Sequence, residues 1–177
     1  MKKYFFVVFI LTTFLSFGQI YSEDFTGQDG KGAYGPTPTT DVSGVTWTVD
    51  VSDADLSTSE DYIKVVSGKL EARDTDGTVI WLSPSINISS YAEVDLQLDA
   101  TEVGTMEGTD TYITEYRVDS GSWTQASTNG NISDDFTSLT VSQTGITGNT
   151  LEIRISMNNN AGSEKHRIDN IQVTDSS

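Results

Sequence analysis

The sequence contains no cysteine, and its 177 residues include only three prolines and one histidine. Without a thiol, disulfide scaffolds, thiolate zinc sites, iron–sulfur clusters and cysteine nucleophiles are all excluded. A metal site in this chain has to be built from oxygen ligands. Bases are also scarce, with 10 Lys and Arg against 26 Asp and Glu and a formal net charge of −16. Duplex nucleic acid and anionic lipid surfaces, which are bound through neutralising Lys and Arg, are therefore poor candidate partners. Catalytic signatures are missing too. There is no Gly-rich phosphate loop, zincin helix or dinucleotide fingerprint, and no Gly-x-Ser-x-Gly or Ser/His/Asp arrangement around His166 in EKHRIDN. Paired carboxylates alone suffice for a glycosidase, but they work in a cleft of a larger scaffold with aromatic subsites. No catalytic residue and no enzyme activity is expected.

The longest apolar run, from Phe5 to about Leu15, is shorter than the roughly 20 residues a spanning helix needs. Two lysines precede it and small and polar residues follow. This is the layout of a secretory signal peptide over residues 1–18, with cleavage expected near Gly18 and Gln19. Secretion or display at the cell surface follows, with no membrane insertion after cleavage. Losing Lys2 and Lys3 leaves 26 acids against eight bases, a net charge of −18. At 36% hydrophobic residues the remainder is too rich in Val, Ile and aromatics to be disordered. A secreted, acidic chain without disulfides gains from a divalent cation, which neutralises clustered carboxylates and ties loops together.

From Gln19 onward the apolar residues alternate with period two in short runs, separated by clusters of Gly, Asn, Asp and Ser. This pattern predicts an all-β fold, an antiparallel two-sheet jelly-roll sandwich over residues 19–174. Strands are expected at 20–25, 45–49, 62–66, 69–73, 78–82, 94–100, 112–118, 123–126, 137–141, 151–157 and 167–173. Val94, Leu96 and Leu98 alternate with Asp95, Gln97 and Asp99, and Leu151, Ile153, Ile155 and Met157 alternate with Glu152, Arg154 and Ser156. Half-buried antiparallel sheets produce that signature. Ser67–Gly68 and the segment 119–122 read as hairpin turns. The segment 27–41, rich in Gly and Pro, reads as a long loop, and the residues 175–177 as a tail or the start of a linker.

Two chain ends lie side by side in such a sandwich. SEDF at 22–25 and RIDNIQV at 167–173 would then bring carboxylates together, and these repel unless a cation sits between them. Calcium suits the junction because it accepts six to eight oxygens in loose geometry. The same acids also fit a plainer role, capping turns or accepting backbone amides at strand ends.

These two stretches, with EYRVDSGSW at 115–123 and GITGNTLEIRISMNNNAGSEKHRIDNIQV at 145–173, resemble the jelly-roll accessory modules of secreted Bacteroidetes proteins, which are similar to calcium-containing carbohydrate-binding modules. The resemblance covers nearly the whole mature chain. It implies a structural Ca²⁺ joining the first and last strands, held by Asp24 and Asp169 with Glu23 as a substitute. Carbohydrate-binding modules often carry Glu directly after the first-strand Phe, where this chain has Thr26.

A second acidic set lies in EVGTMEGTD, with Glu102, Glu107 and Asp110, and in NNNAGSE, with Glu164. If these two loops meet at one end of the sandwich, Glu107, Asp110 and Glu164 form a second candidate ion site. Their spacing matches no EF-hand, and solvated polar loops explain them as well. DTDG at 74–77 reads as a turn. Trp47 and Trp81 have apolar surroundings and belong to the core, whereas Trp123 follows a hairpin tip and is the candidate exposed ring, since flat rings stack on sugars. With Gln97, Glu115, Arg117 and Arg154 on outward strand faces, Trp123 forms a candidate ligand-binding set if those strands share a sheet. Cross-strand charge pairs keeping one face wet are the alternative.

The expected function is a secreted, non-catalytic binding or accessory module. Its implied partner is an extracellular polysaccharide or other glycan, with calcium as a structural cofactor. Two other readings stand beside it: a structural or adhesive cell-surface domain, and the N-terminal accessory domain of a longer secreted hydrolase or nuclease.

Overall fold

The structure, a computed structural model, describes residues 18–176. Apart from Gly18, the expected signal peptide lies outside the described residues. Fifteen strands follow in order: β1 (Gln19–Glu23), β2 (Gly32–Tyr34), β3 (Thr39–Asp41), β4 (Thr48–Asp50), β5 (Tyr62–Val66), β6 (Lys69–Arg73), β7 (Val79–Leu82), β8 (Ile86–Asn87), β9 (Val94–Val103), β10 (Thr111–Val118), β11 (Thr124–Gln125), β12 (Asn131–Ile132), β13 (Ser138–Ile146), β14 (Thr150–Asn158) and β15 (Lys165–Asp175). One sheet runs β13-β9-β15-β6-β5-β2-β3, with β1 beside β15; the other runs β11-β10-β14-β7-β4, with β12 on β10 and β8 on β14. Every pairing is antiparallel, and neither sheet closes on itself. The result is the expected jelly-roll type of sandwich.

The alternation in the sequence becomes the core directly. Val94, Leu96, Leu98 and Ala100 of β9 face Leu151, Ile153, Ile155 and Met157 of β14, and all eight are buried. Phe25 sits against both core tryptophans, its ring centroid 6.1 Å from that of Trp47 and 6.2 Å from that of Trp81 in edge-to-face contact, the arrangement aromatic quadrupoles favour. Ser67 and Gly68 make the β5–β6 turn with φ of 52° and 73°. The β10–β11 turn at Asp119 and Ser120 uses positive φ at both residues as well, the backbone that matches strand twist in tight hairpins.

Two expectations change. The segment 27–41 is not simply a loop, because it contributes β2 and β3 to a sheet edge. At Gly32 a Cβ would stand 2.2 Å from the Ile63 carbonyl oxygen, so only glycine lets β2 settle against β5 there. The clean strands do not share one sheet either: β9 belongs to the first sheet, and β10 and β14 to the second. Period-two alternation tells which face a residue takes but not which sheet its strand joins.

Candidate functional site

The first and last strands do pair, with Glu23 opposite Ile171 and Tyr21 opposite Val173. Their acids have other partners. Glu23 Oε1 accepts the Phe25 amide and the Gln28 side-chain amide, each at 2.8 Å, and Gln28 Oε1 accepts the Trp47 indole N–H at 2.8 Å. Glu23 thus anchors the turn that swings Phe25 into the core. Asp24 is exposed and accepts the Thr26 amide at 3.0 Å. Asp169 Oδ2 takes the Lys69 ammonium at 2.6 Å, while its Oδ1 accepts the Asn170 amide. Asp169 thus has a base as its partner, and Glu23, Asp24 and Asp169 are not among the converging acids of the described residues.

Among the described residues, one group of three acids does converge. Glu107, Asp110 and Glu164 each bring an oxygen within 4.8 Å of the others. The β9–β10 loop supplies the first two. Asp110 N–H donates to the Glu107 carbonyl and Glu107 N–H donates to Asp110 Oδ2, both at 2.8 Å, a reciprocal clasp that fixes the loop. Glu164 comes from the β14–β15 loop, where it accepts the Asn160 amide and donates its own to Ala161. At Gly104 a Cβ would stand 2.9 Å from the Ser163 carbonyl oxygen, so a glycine at φ 104° is what allows the two loops to touch.

Burial sets the electrostatics of this end. Asp110 is 1% exposed and Glu164 4%, and Asp110 Oδ1 has no hydrogen-bond partner. Desolvation pushes both carboxyls up, with Glu107 adding to the push on Asp110 and Asp110 to that on Glu164. No base relieves them. Seven of the eight bases among the described residues pair with other carboxylates, and Lys64 lies over a tyrosine ring. Beneath the acids His166 stacks on Phe136, 6.3 Å between centroids. Burial lowers its pKa to about 4, against the pull of Asp110, so it is neutral at pH 7, and its Nδ1 has no partner. Glu102 is next to this cluster. Its Oε1 accepts the Phe136 amide and its Oε2 is buried without a partner. Such a concentration of desolvated, unneutralised oxygens is what a hard divalent cation would relieve. DTDG, by contrast, is a turn in which Thr75 clasps Asn159.

The candidate ligand set divides between the sheets. Gln97 is exposed on β9, in the first sheet. The other four meet on the outer face of the second. On β10 and β14, Glu115 lies opposite Arg154 and Arg117 opposite Glu152. Arg117 grips Glu152 through two bonds of 2.8 and 2.9 Å, and Arg154 grips Glu115 Oε2 at 2.8 and 2.5 Å. The half-buried ring of Trp123 lies over both guanidiniums, 4.6 and 4.5 Å from its centroid. Half-buried Ile80, Leu82 and Ile113 complete this face. The expected cross-strand charge pairs are present, and the Trp123 ring lies on the same face.

The sequence reading considered His166 only for catalysis, where it found no role, and passed over Asp135, whose Oδ1 accepts the Met106 amide at 2.5 Å and pins the same acidic end. The useful signal was the spacing of Glu107 and Asp110, three apart around a glycine.

No protein-family model matches the chain, and no curated protein matches it in sequence. Solved structures do match it in fold. The K3 adhesin domain of Lys-gingipain from Porphyromonas gingivalis W83 is 9% identical with a TM-score of 0.51, over 89% of this chain and 99% of that one. A chain from a study of human gut microbiota members that express endo-acting O-glycanases to initiate mucin breakdown is 8% identical with a TM-score of 0.52, over 90% and 100%. A family 61 carbohydrate-binding module solved with β-1,4-galactotriose is 6% identical with a TM-score of 0.46, over 85% and 90%. At these identities the likeness is one of fold alone, an all-β sandwich shared with the adhesin domain and the gut-microbiota chain.

Proposed function

We propose that this protein is a secreted, non-catalytic module that binds an extracellular glycan on the outer face of β10 and β14, with a structural calcium at Glu107, Asp110 and Glu164. The observation that carries the binding reading is the indole of Trp123 lying on Arg117 and Arg154. A ring seated on two guanidiniums, each gripped by a carboxylate, is fixed before any ligand arrives, so little side-chain entropy is lost on binding. The guanidinium edges around it offer donors to sugar hydroxyls, while the carboxylates hold the guanidiniums in place. Calcium would act as a staple between the β9–β10 and β14–β15 loops, replacing the disulfides the chain lacks.

The test is a glycan array on the mature domain, followed by titration of each hit against a Trp123→Ala variant. Binding of at least one polysaccharide that weakens by about tenfold or more in the variant, the scale of a lost stacking contact, supports the reading. Silence across neutral and acidic polysaccharides, or binding indifferent to Trp123, overturns it in favour of a structural or adhesive domain.

A further inference from the structure

An open hollow of about 520 Å³ lies on the other sheet, over the β2–β5 pair, and Asp29, Tyr34, Ser59, Lys64 and Ser67 line it. Lys64 is unusual in this acidic chain. It is the one base among the described residues with no carboxylate within 4.0 Å, although the molecule carries 26 acids. Its ammonium rests instead 4.0 Å from the Tyr62 ring centroid and 5.7 Å from that of Tyr34.

The position of that charge is fixed from below. Tyr62 donates its hydroxyl to Glu71 Oε1 at 2.5 Å. Glu71, 1% exposed, also receives the Arg167 guanidinium at 2.5 Å and the Lys165 ammonium at 3.4 Å. The Tyr62 ring is therefore locked, and the cation on its face is held by the ring quadrupole. Above it Tyr34 is 36% exposed, one of two large apolar side chains among the described residues that stand so open. Ser59 and Ser67 are exposed hydroxyls. Asp29 spends Oδ1 on the Gly68 amide at 2.9 Å, which leaves Oδ2 to accept.

We propose that this hollow is a second binding site, for a sugar ring bearing a carboxylate. The Lys64 ammonium would take the ligand carboxylate, the Tyr34 face the apolar side of the ring, and Asp29, Ser59 and Ser67 its hydroxyls. A free phosphate or sulfate would use Lys64 alone and leave the ring and the hydroxyls idle. A neutral sugar would leave the one uncompensated cation unpaired. Because the net charge repels polyanions at long range, a single charged residue rather than a polyanionic chain is the fitting occupant.

The probe pair is methyl glucuronide and methyl glucoside, which differ by a carboxylate in place of a hydroxymethyl group, followed by amide shifts in NMR titrations of the mature domain. The glucuronide is expected to move the amides of Tyr34, Lys64, Ser67 and Gly68 and to bind about tenfold tighter than the glucoside, the scale of a hydrogen bond to a charged group. Lys64→Met should erase that preference and Lys64→Arg should keep it, with thermal midpoints of both variants checking that they fold. Trp123→Ala should leave it unchanged, so this site and the Trp123 face are read separately. Equal affinity for the two sugars, no shifts at these amides, or a preference surviving in Lys64→Met would overturn the proposal, and inorganic sulfate competing as well as the glucuronide would reduce the site to a bare anion contact.

Discussion

Gly104 lies so close to Glu164 that a Cβ placed there would come within 3.1 Å of both the Cα and the Cγ of that residue. The contact joins a carboxylate-bearing loop to a strand end 60 residues further along the chain, and it makes the acidic end of the sandwich sensitive to one methyl group. Gly104→Ala meets both a φ of 104°, which L-residues rarely adopt, and the Ser163 carbonyl oxygen at 2.9 Å. The expected loss is about 1–3 kcal/mol, the scale of one strained backbone position. Urea denaturation in chelator checks it, and a loss below about 0.5 kcal/mol would mean that the loops do not need this contact.

Calcium at Glu107, Asp110 and Glu164 should reverse the ranking of wild type and an Asp110→Asn variant. In chelator the variant is expected to melt at the same temperature as wild type or higher. Asn keeps an acceptor for the Glu107 amide and removes one of three mutually repelling charges. With calcium present only wild type should gain, since an ion bound by the native state alone stabilises it by about 2.7 kcal/mol at 100 times Kd. Differential scanning calorimetry with calcium and with chelator reads both arms. A wild-type midpoint that ignores calcium would remove the ion from this site.

The longer strands, the two tight hairpins and the core tryptophans were legible in the sequence because each is written locally, in two-residue alternation and turn chemistry; β2, β3, β8 and β12, two or three residues each, are too short to show alternation. The pairing of the first and last strands followed as well. Glu107, Asp110 and Glu164 were legible as a set from their two loops, but that Glu23, Asp24 and Asp169 stay apart was not, because it depends on register. A bulge between Asp169 and Gln172 in the β9–β15 ladder and the Lys69 opposite it decide where Asp169 points. The separation of Gln97 from Glu115 and Arg154 has the same origin, since sheet membership comes from topology. Lys64 carried no signal at all: a lysine in a strand is ordinary until every other base proves to be paired.

Glu71 should make the first sheet acid-sensitive. Burial would push its carboxyl up, but hydrogen bonds from Tyr62 and Arg167 and the charges of Arg167 and Lys165 overcome this and hold it below the ordinary value of 4.5. A carboxyl lowered on folding stabilises the native state above its unfolded pKa, and that contribution disappears as the pH falls from about 4.5 through the folded value. Glu71→Gln should cost about 3 kcal/mol at pH 7, because two bases and a tyrosine lose a buried charged partner. It should also flatten the stability–pH curve below pH 4.5 relative to wild type. Chemical denaturation of both proteins from pH 7 to pH 3 checks the two statements together, and parallel curves would show that Glu71 does not titrate abnormally.

The charge ladder under Trp123 should matter more to binding than to folding. Arg117–Glu152 and Arg154–Glu115 are half-exposed pairs, and such pairs contribute about 0.2–1 kcal/mol each. Glu152→Gln is therefore expected to lower stability by less than about 1 kcal/mol. It releases Arg117, however, and with it one of the two supports of the indole. A ring free to leave its platform has to be ordered again by the ligand, at about 0.5–1.5 kcal/mol per immobilised side chain, so affinity for a glycan that depends on Trp123 should fall by roughly twofold to tenfold. The double variant Glu152→Gln with Trp123→Ala should bind no worse than Trp123→Ala alone, because the carboxylate acts through the ring. An additive loss in that cycle, measured by isothermal titration, would instead place Glu152 in direct contact with the sugar.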